Sequence, residues 1–394
     1  MFAKKTNNSA TPKKKGPSLF SRINSWLHLW LGLSSGIIIF VVCLSGTIFV
    51  FCDDIIDWRA GKAISVQEAK GPQMTPEQLI AAFRKANPDR KPFYFVAYKD
   101  RTSSFKIASA DKQQQFKFTW VNPYTGEMLA TDGAYYFFYT IAHIHSQLLL
   151  HEPGNLIVEM ATFIFLLELI GGLILWWPKK WNKSGKEQCF KIKWKGKWRR
   201  VNYDLHNVLG FYSLLPALML TVTGLIIVNK TMNKTLHQAL GGQSGAYQAM
   251  RKFAPAYDAN STVMPLQTIL DRQFAQDGVT QVRLTIPPKD SVTTYYAIAG
   301  SRIGLKGYDG KMTLMNKYTG EAMAIPVALQ KAERIENMNM NLHLGFWYGW
   351  TGKIITFMVG LICTSLPITG FLIWWGRRKK TKKPAPVKRT AAIA

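Results

Sequence analysis

Four apolar stretches constrain this chain more than any other feature, because each is about 20 residues long, the length a bilayer's hydrocarbon core requires. They cover 27–51, roughly 156–177, 205–228 and roughly 350–375 of the 394 residues. A cleaved leader has a shorter apolar core followed by a small-residue cleavage site. The first stretch is too long for that and runs into Cys-Asp-Asp-Ile-Ile-Asp, so it reads as a retained helix.

The formal net charge of +27 first suggests nucleic acid, but its placement argues otherwise. Six basic residues precede residue 27, ten lie in 179–200 and eight follow Trp375, with Glu187 the one acid among them. These stretches share one side of a four-span chain. The rest has 26 basic against 22 acidic residues. The charge is therefore a positive-inside signal that puts both termini in the cytoplasm. No soluble stretch carries the basic face that nucleic-acid binding needs. Cys43, Cys52, Cys189 and Cys363 form no Cys-x-x-Cys pair, which excludes a zinc ribbon, a thioredoxin-type motif and a covalent haem attachment.

The expected fold class is membrane α-helical plus α+β, with four transmembrane helices and two external domains, internally duplicated. The layout is a basic tail (1–26), the first span (27–51), a first external domain (52–140) and an outer segment with the second span (141–177). A basic loop (178–204), the third span (205–229), a second external domain (230–336), an outer segment with the fourth span (337–376) and a basic tail (377–394) complete it. The duplication rests on matched motifs. His28-Leu-Trp-Leu-Gly32 aligns with His206-Asn-Val-Leu-Gly210, and Ser45-Gly46 with Thr223-Gly224, both at offset 178. Asn122-Pro-Tyr-Thr-Gly-Glu127 aligns with Asn316-Lys-Tyr-Thr-Gly-Glu321 at offset 194, and Gly172-Leu-Ile-Leu-Trp-Trp177 with Gly370-Phe-Leu-Ile-Trp-Trp375 at 198. Repeats of this kind commonly place functional sites at their interface. In the external stretches, Thr75 and Pro76 predict a helix start. Residues 93–98, 116–121, 282–286, 293–299 and 312–316 predict strands, and the turn at Asn122 to Gly126 leads into a further one.

Four of the seven histidines form matched pairs: His28 with His206, and His145 with His343. The first pair opens spans one and three at the cytoplasmic boundary; the second precedes spans two and four on the outer side. Zinc would want four protein ligands, which the neighbouring residues do not supply. Two axial histidines per centre suit b-type haem, whose porphyrin supplies the other four ligands. His143 and His151 fall on Asn341 and Gly349 and are unrepeated, yet both rank as rival ligands. From His145 to Trp177 a straight helix would run roughly 48 Å, against a core of about 30 Å. Either the outer pair lies above the membrane, close to the external domains, or the helices tilt or break, with Pro153 a candidate break in the second. Glu168, in mid-span, reads either as a group that carries a proton or bonds a ligand histidine's second nitrogen, or equally as a protonated carboxyl bonded to a neighbouring helix. Lys353 is expected to snorkel outward. Met338 and Met340 read as packing, with soft-metal ligation as the sharper option.

As a set, the His-x-x-x-Gly starts, the Tyr-Thr-Gly-Glu turns, the histidines ahead of spans two and four and the Trp-Trp ends resemble the PepSY-associated transmembrane helix family. Within it the chain is similar to the periplasmic, ferrioxamine-reducing ferrisiderophore reductases. The resemblance covers roughly residues 20–378. It implies two periplasmic PepSY-like domains, a bacterial inner-membrane location and two non-covalent haem b groups, the haem iron held by His28, His206, His145 and His343. It also implies an oxidoreductase that reduces a ferric siderophore in the periplasm for iron uptake. A cytoplasmic electron donor is then required. The loop Lys179 to Arg200, with Trp181, Trp194 and Trp198 among its lysines, suits anionic membrane lipids or an acidic flavoprotein. Other readings are a haem conduit to another periplasmic acceptor, a non-enzymatic module whose PepSY domains bind a peptide or protease, and a transporter, against which the scarcity of mid-membrane charge counts.

Overall fold

The computed structural model describes residues 18–66, 71–178, 180–245, 249–305 and 309–378. Lys4, Lys5, Lys13, Lys14 and Lys15, and the basic residues from Lys379 onward, lie outside them.

Four helices are long and apolar enough to cross a membrane, as the apolar stretches predict: Leu19–Phe49, Glu152–Trp176, Trp198–Val228 and Phe346–Arg378. In chain order the helices are α1 (Leu19–Phe49), α2 (Cys52–Ala60), α3 (Pro76–Ala86), α4 (Ala134–Gln147), α5 (Glu152–Trp176), α6 (Lys183–Phe190) and α7 (Trp198–Val228). There follow α8 (Lys230–Ala239), α9 (Leu266–Phe274), α10 (Val327–Leu344) and α11 (Gly349–Arg378). In the bundle α1 packs on α5 and α11, and α7 on α5 and α11. Leu169, Leu214, Ala217, Val359 and Cys363 fill its centre.

The external strands are β1 (Lys91–Tyr98), β2 (Phe105–Ala110), β3 (Phe116–Val121), β4 (Met128–Asp132), β5 (Gln281–Thr285), β6 (Thr294–Gly300) and β7 (Lys311–Asn316). They form one antiparallel sheet in the order β4-β3-β2-β1-β5-β6-β7. The two external stretches therefore share a sheet, joined where β1 pairs with β5 from Tyr94↔Thr285 to Tyr98↔Gln281. Alternation along the strands serves two cores. Phe95, Ile107 and Val121 join Leu284 and Ala297 beneath α3 and α9. Tyr94, Val96, Phe118 and Trp120 face Ile56 of α2 and Phe138 of α4 on the other side. Thr75 caps α3 in a reciprocal box with Gln78, and Pro76 occupies its first turn.

A break ahead of the second span is present, but not at Pro153, which sits in the first turn of α5. Chain direction changes at Leu148, Leu149 and His151, with φ of 52°, 59° and 57°. This left-handed conformation costs a residue with a Cβ about 1–2 kcal/mol. Ahead of the fourth span the same change falls on Gly345 and Gly349, which adopt it freely. At both returns a glycine permits the close approach. A Cβ on Gly154 would run into the Gln147 carbonyl, and one on Gly352 into that of Gly345. So α4 packs back along α1, and α10 along α7.

Lys353 departs from the sequence expectation. It does not snorkel: it is 0 % exposed, pairs with Asp54 of α2 and faces the rings of Phe346 and Trp350 at 4.8 and 5.3 Å. Arg302 reaches the same carboxylate at 3.0 Å. Next to it, Asp53 accepts the Leu305 N–H at 2.9 Å. Burial pushes the Asp53 carboxyl from its ordinary 3.8 up to about 6, against the pull of Lys106 and that N–H. A carboxyl raised by folding binds its proton more tightly in the folded state. Its contribution is present below 3.8 and is lost as pH rises to about 6. Asp53→Asn is expected to flatten that slope in thermal unfolding measured between pH 4 and 6.

Candidate functional site

The helices bring the matched histidines together in two pairs. His28 of α1 and His206 of α7 have ring centres 6.4 Å apart and planes at 78°. His145 of α4 and His343 of α10 have ring centres 5.9 Å apart and planes at 51°. One metal ion bound by two imidazoles needs about 2 Å per bond. With about 1 Å from each ring centre to its nitrogen, that gives roughly 6 Å between centres. Both pairs have this spacing.

Three of the four imidazoles are held by a hydrogen bond at Nδ1. His145 donates to the Val42 carbonyl at 2.8 Å, and His343 to that of Leu220 at 3.1 Å, with Thr223 Oγ1 at 3.0 Å. His206 lies 2.9 Å from Thr369 Oγ1. The Thr369 hydroxyl gives its own proton to Ser365 O, so it accepts from the ring. His28 Nδ1 lies 2.9 Å from Glu168 Oε2, without the alignment of a full hydrogen bond. A proton on Nδ1 leaves the Nε2 lone pair bare, the form in which histidine ligates a metal.

Glycines set the depth of each ring. An added Cβ would lie 2.8 Å from His145 Cε1 at Gly46 and 3.1 Å from His343 Cε1 at Gly224. At Gly172 and Gly370 it would lie 3.3 Å from Cε1 of His28 and His206. Residues at the matched sequence offsets thus make corresponding contacts. Asn24 donates to the Gly171 carbonyl at 3.0 Å, and Asn202 to that of Thr369 at 3.1 Å. The turns at Asn122 and Asn316 close through the same bonds, Asn122 N–H to Glu127 O and Asn316 N–H to Glu321 O, both at 2.8 Å.

The inner pair opens on a cavity of about 380 Å³. That is within the usual range for a small-molecule site. Gly32, Gly36 and Gly210 thin its walls, Phe165 and Leu214 line them, and Arg377 adds a charge. Around His206, residues Leu205–Leu209 of α7 take a π-helical turn, a widening often found at functional positions. Nothing in the local sequence signals that turn. The outer pair is anchored at Val42, 14 residues along α1 from His28, which is about 21 Å of helix. The break before α5 is what permits this: α4 turns back and carries His145 down beside α1.

The rival histidines stand apart from this geometry. His143 turns onto its own helix, with Nδ1 2.8 Å from the Tyr139 carbonyl and its ring 3.9 Å from that of Tyr139. His151 is exposed at the chain reversal. Met338 is half exposed on α10. Among the described residues no three His, Cys, Asp or Glu side chains converge into a protein-only metal cluster. Two facing imidazoles suit a group that brings its own in-plane ligands, so the residues fit a macrocycle. Sequence reasoning missed Thr369 and Thr223 as imidazole partners and the four glycines as ring seats. The repeat was the available signal, since each sits at or beside a matched position.

No curated protein matches the chain. The model of the PepSY-associated TM region matches residues 25–377, from just before His28 to just beyond the end of the fourth apolar stretch. With that match spanning all four membrane helices and both histidine pairs, the chain belongs to the PepSY-associated transmembrane family.

Proposed function

We propose that this membrane protein is an electron-transfer enzyme of the bacterial inner membrane, its termini cytoplasmic and its sheet periplasmic. In this reading it reduces a ferric siderophore with electrons from a cytoplasmic donor. The observation that carries it is the spacing of two histidine pairs, 6.4 and 5.9 Å between ring centres, at two levels of one helix bundle. His28 with His206, and His145 with His343, would each hold one haem b. When bound, haem supplies reversible one-electron exchange at its iron. The chain does the rest. Nδ1 acceptors fix the tautomer of His145, His206 and His343, Glu168 stands beside Nδ1 of His28, and glycines set the depth of all four rings. We read the halves as copies of one unit, each giving one histidine to each pair.

The substrate iron passes from Fe(III) to Fe(II) by gain of one electron. Hard oxygen donors hold the ferrous ion less tightly, so reduction favours release. On the cytoplasmic side Trp181, Trp194 and Trp198 are 46, 69 and 65 % exposed among lysines. That surface suits an acidic flavoprotein or anionic headgroups.

Oxidised and reduced visible spectra with a pyridine haemochrome count, on detergent-purified protein, test this reading. Two low-spin b-type haems per chain are expected, and one after His28→Ala, His206→Ala, His145→Ala or His343→Ala. Addition of a ferric siderophore is expected to reoxidise the reduced protein. A chain that stays colourless after haem supplementation defeats the reading and favours a peptide- or protease-binding module. Reoxidation by periplasmic redox proteins but not by siderophores moves the acceptor.

A further inference from the structure

The four imidazoles differ in one respect that the repeat makes visible. His145, His343 and His206 rest on neutral acceptors: the Val42 carbonyl, the Leu220 carbonyl with Thr223, and the Thr369 hydroxyl. His28 alone faces a carboxylate, Glu168, at 2.9 Å. The repeat offset of 198 places Leu366 at the position of Glu168. The structure seats the two alike. Glu168 Oε2 is 3.1 Å from where a Gly32 Cβ would stand, and Leu366 Cδ2 is 3.7 Å from that of Gly210, the residue matched to Gly32. The halves thus present an acid and an aliphatic side chain in one place. The side chain of Glu168 is 11 % exposed, within the apolar bundle.

From this asymmetry we infer that Glu168 places the inner histidine pair below the outer pair in reduction potential, so that electrons run from the cytoplasmic level to the periplasmic one. This rests on the electron-transfer reading above. Two physical effects act in the same direction. A carboxylate 2.9 Å from Nδ1, even without an aligned hydrogen bond, polarises the ring and makes the opposite nitrogen a stronger donor, which favours the higher oxidation state of a bound metal. A negative charge a few ångströms away, little screened inside the bundle, favours the more positive state by direct Coulomb attraction. The outer pair, held by neutral dipoles alone, has neither. Glu168 is a positioning residue: it acts through His28. The downhill order then comes from one side chain, whose charge lies closer to His28 than to any outer imidazole and must outweigh the Arg377 cation that also lines the inner cavity.

Spectroelectrochemical titration of the haem-loaded protein in detergent tests this. Wild type is expected to titrate in two steps. His145→Ala, which keeps the inner pair, is expected to retain the lower step, and His206→Ala the upper. Glu168→Gln, with both haems in place, is expected to raise the lower step and leave the upper unmoved, while Glu168→Asp keeps it low. Leu366→Glu is expected to lower the inner step further. An inner step equal to or above the outer in the single-pair variants overturns the inference, without need of any Glu168 variant. So does a fully loaded Glu168→Gln protein with both steps in place. Either result leaves two haems and the electron-transfer reading standing, whereas a colourless wild type removes both.

Discussion

On the proposed di-haem reading, Gly46→Val is expected to remove one of the two haems, that of the outer pair, and to leave the inner pair's spectrum unchanged. A Cβ at residue 46 would stand 2.8 Å from Cε1 and 3.0 Å from Nδ1 of His145. Neither atom is the free end of a flexible chain. The ring is tied at Nδ1 to the Val42 carbonyl one turn earlier on α1. To clear the new side chain His145 must give up that bond and its place opposite His343. Gly224→Val should act in the same direction more mildly, since its Cβ would be 3.1 Å from His343 Cε1. Gly133→Ala, whose Cβ meets nothing within 4 Å, is the control. A pyridine haemochrome count on each purified variant decides the matter, and full haem content in Gly46→Val would contradict the seating described above.

The second large effect falls on stability. Asp54→Ala leaves Lys353 buried without the carboxylate that neutralises it. Breaking a buried ion pair from one side costs about 3–5 kcal/mol, because the remaining charge has neither water nor partner. The rings of Phe346 and Trp350 over the ammonium recover only part of that. Lys353→Met is expected to cost less. It fills the same aromatic box without a charge, and Asp54 keeps Arg302 at 3.0 Å. Thermal unfolding in detergent, read by tryptophan fluorescence, should rank wild type above Lys353→Met and Lys353→Met above Asp54→Ala. Equal loss in both variants would show that Lys353 matters by its shape alone.

Several elements are legible in the sequence alone. Apolar runs of bilayer length announce the four spans, because a chain in lipid must satisfy its backbone within each helix. Thr75-Pro-Glu-Gln announces α3, since its cap is a bond between residues three apart. Six of the strands follow from short alternating runs and from the turn at Asn122 to Gly126, which leads into β4. The strand Phe105–Ala110 was missed: its six residues include only two large apolar ones and two alanines, a weak signal by itself. It is held between β1 and β3 by pairing. Lys353 was misread for a related reason. Near the end of an apolar run a lysine looks free to reach for headgroups, and only the docking of α2 puts Asp54 above it.

The sequence by itself determined the family, the four membrane helices, and which histidines recur. All three are encoded in local runs and in spacing, which survive without knowledge of who packs on whom. Tertiary structure alone decided that the external stretches share one sheet, since pairing of β1 with β5 joins residues nearly 190 positions apart. It also decided that α4 and α10 turn back to carry His145 and His343 alongside α1 and α7, and that Glu168 faces His28 while Leu366 takes the matched seat. These are choices among long-range contacts of similar local cost. They are settled by which close approaches Gly46, Gly154, Gly224 and Gly352 permit, and no stretch of sequence read alone contains that comparison.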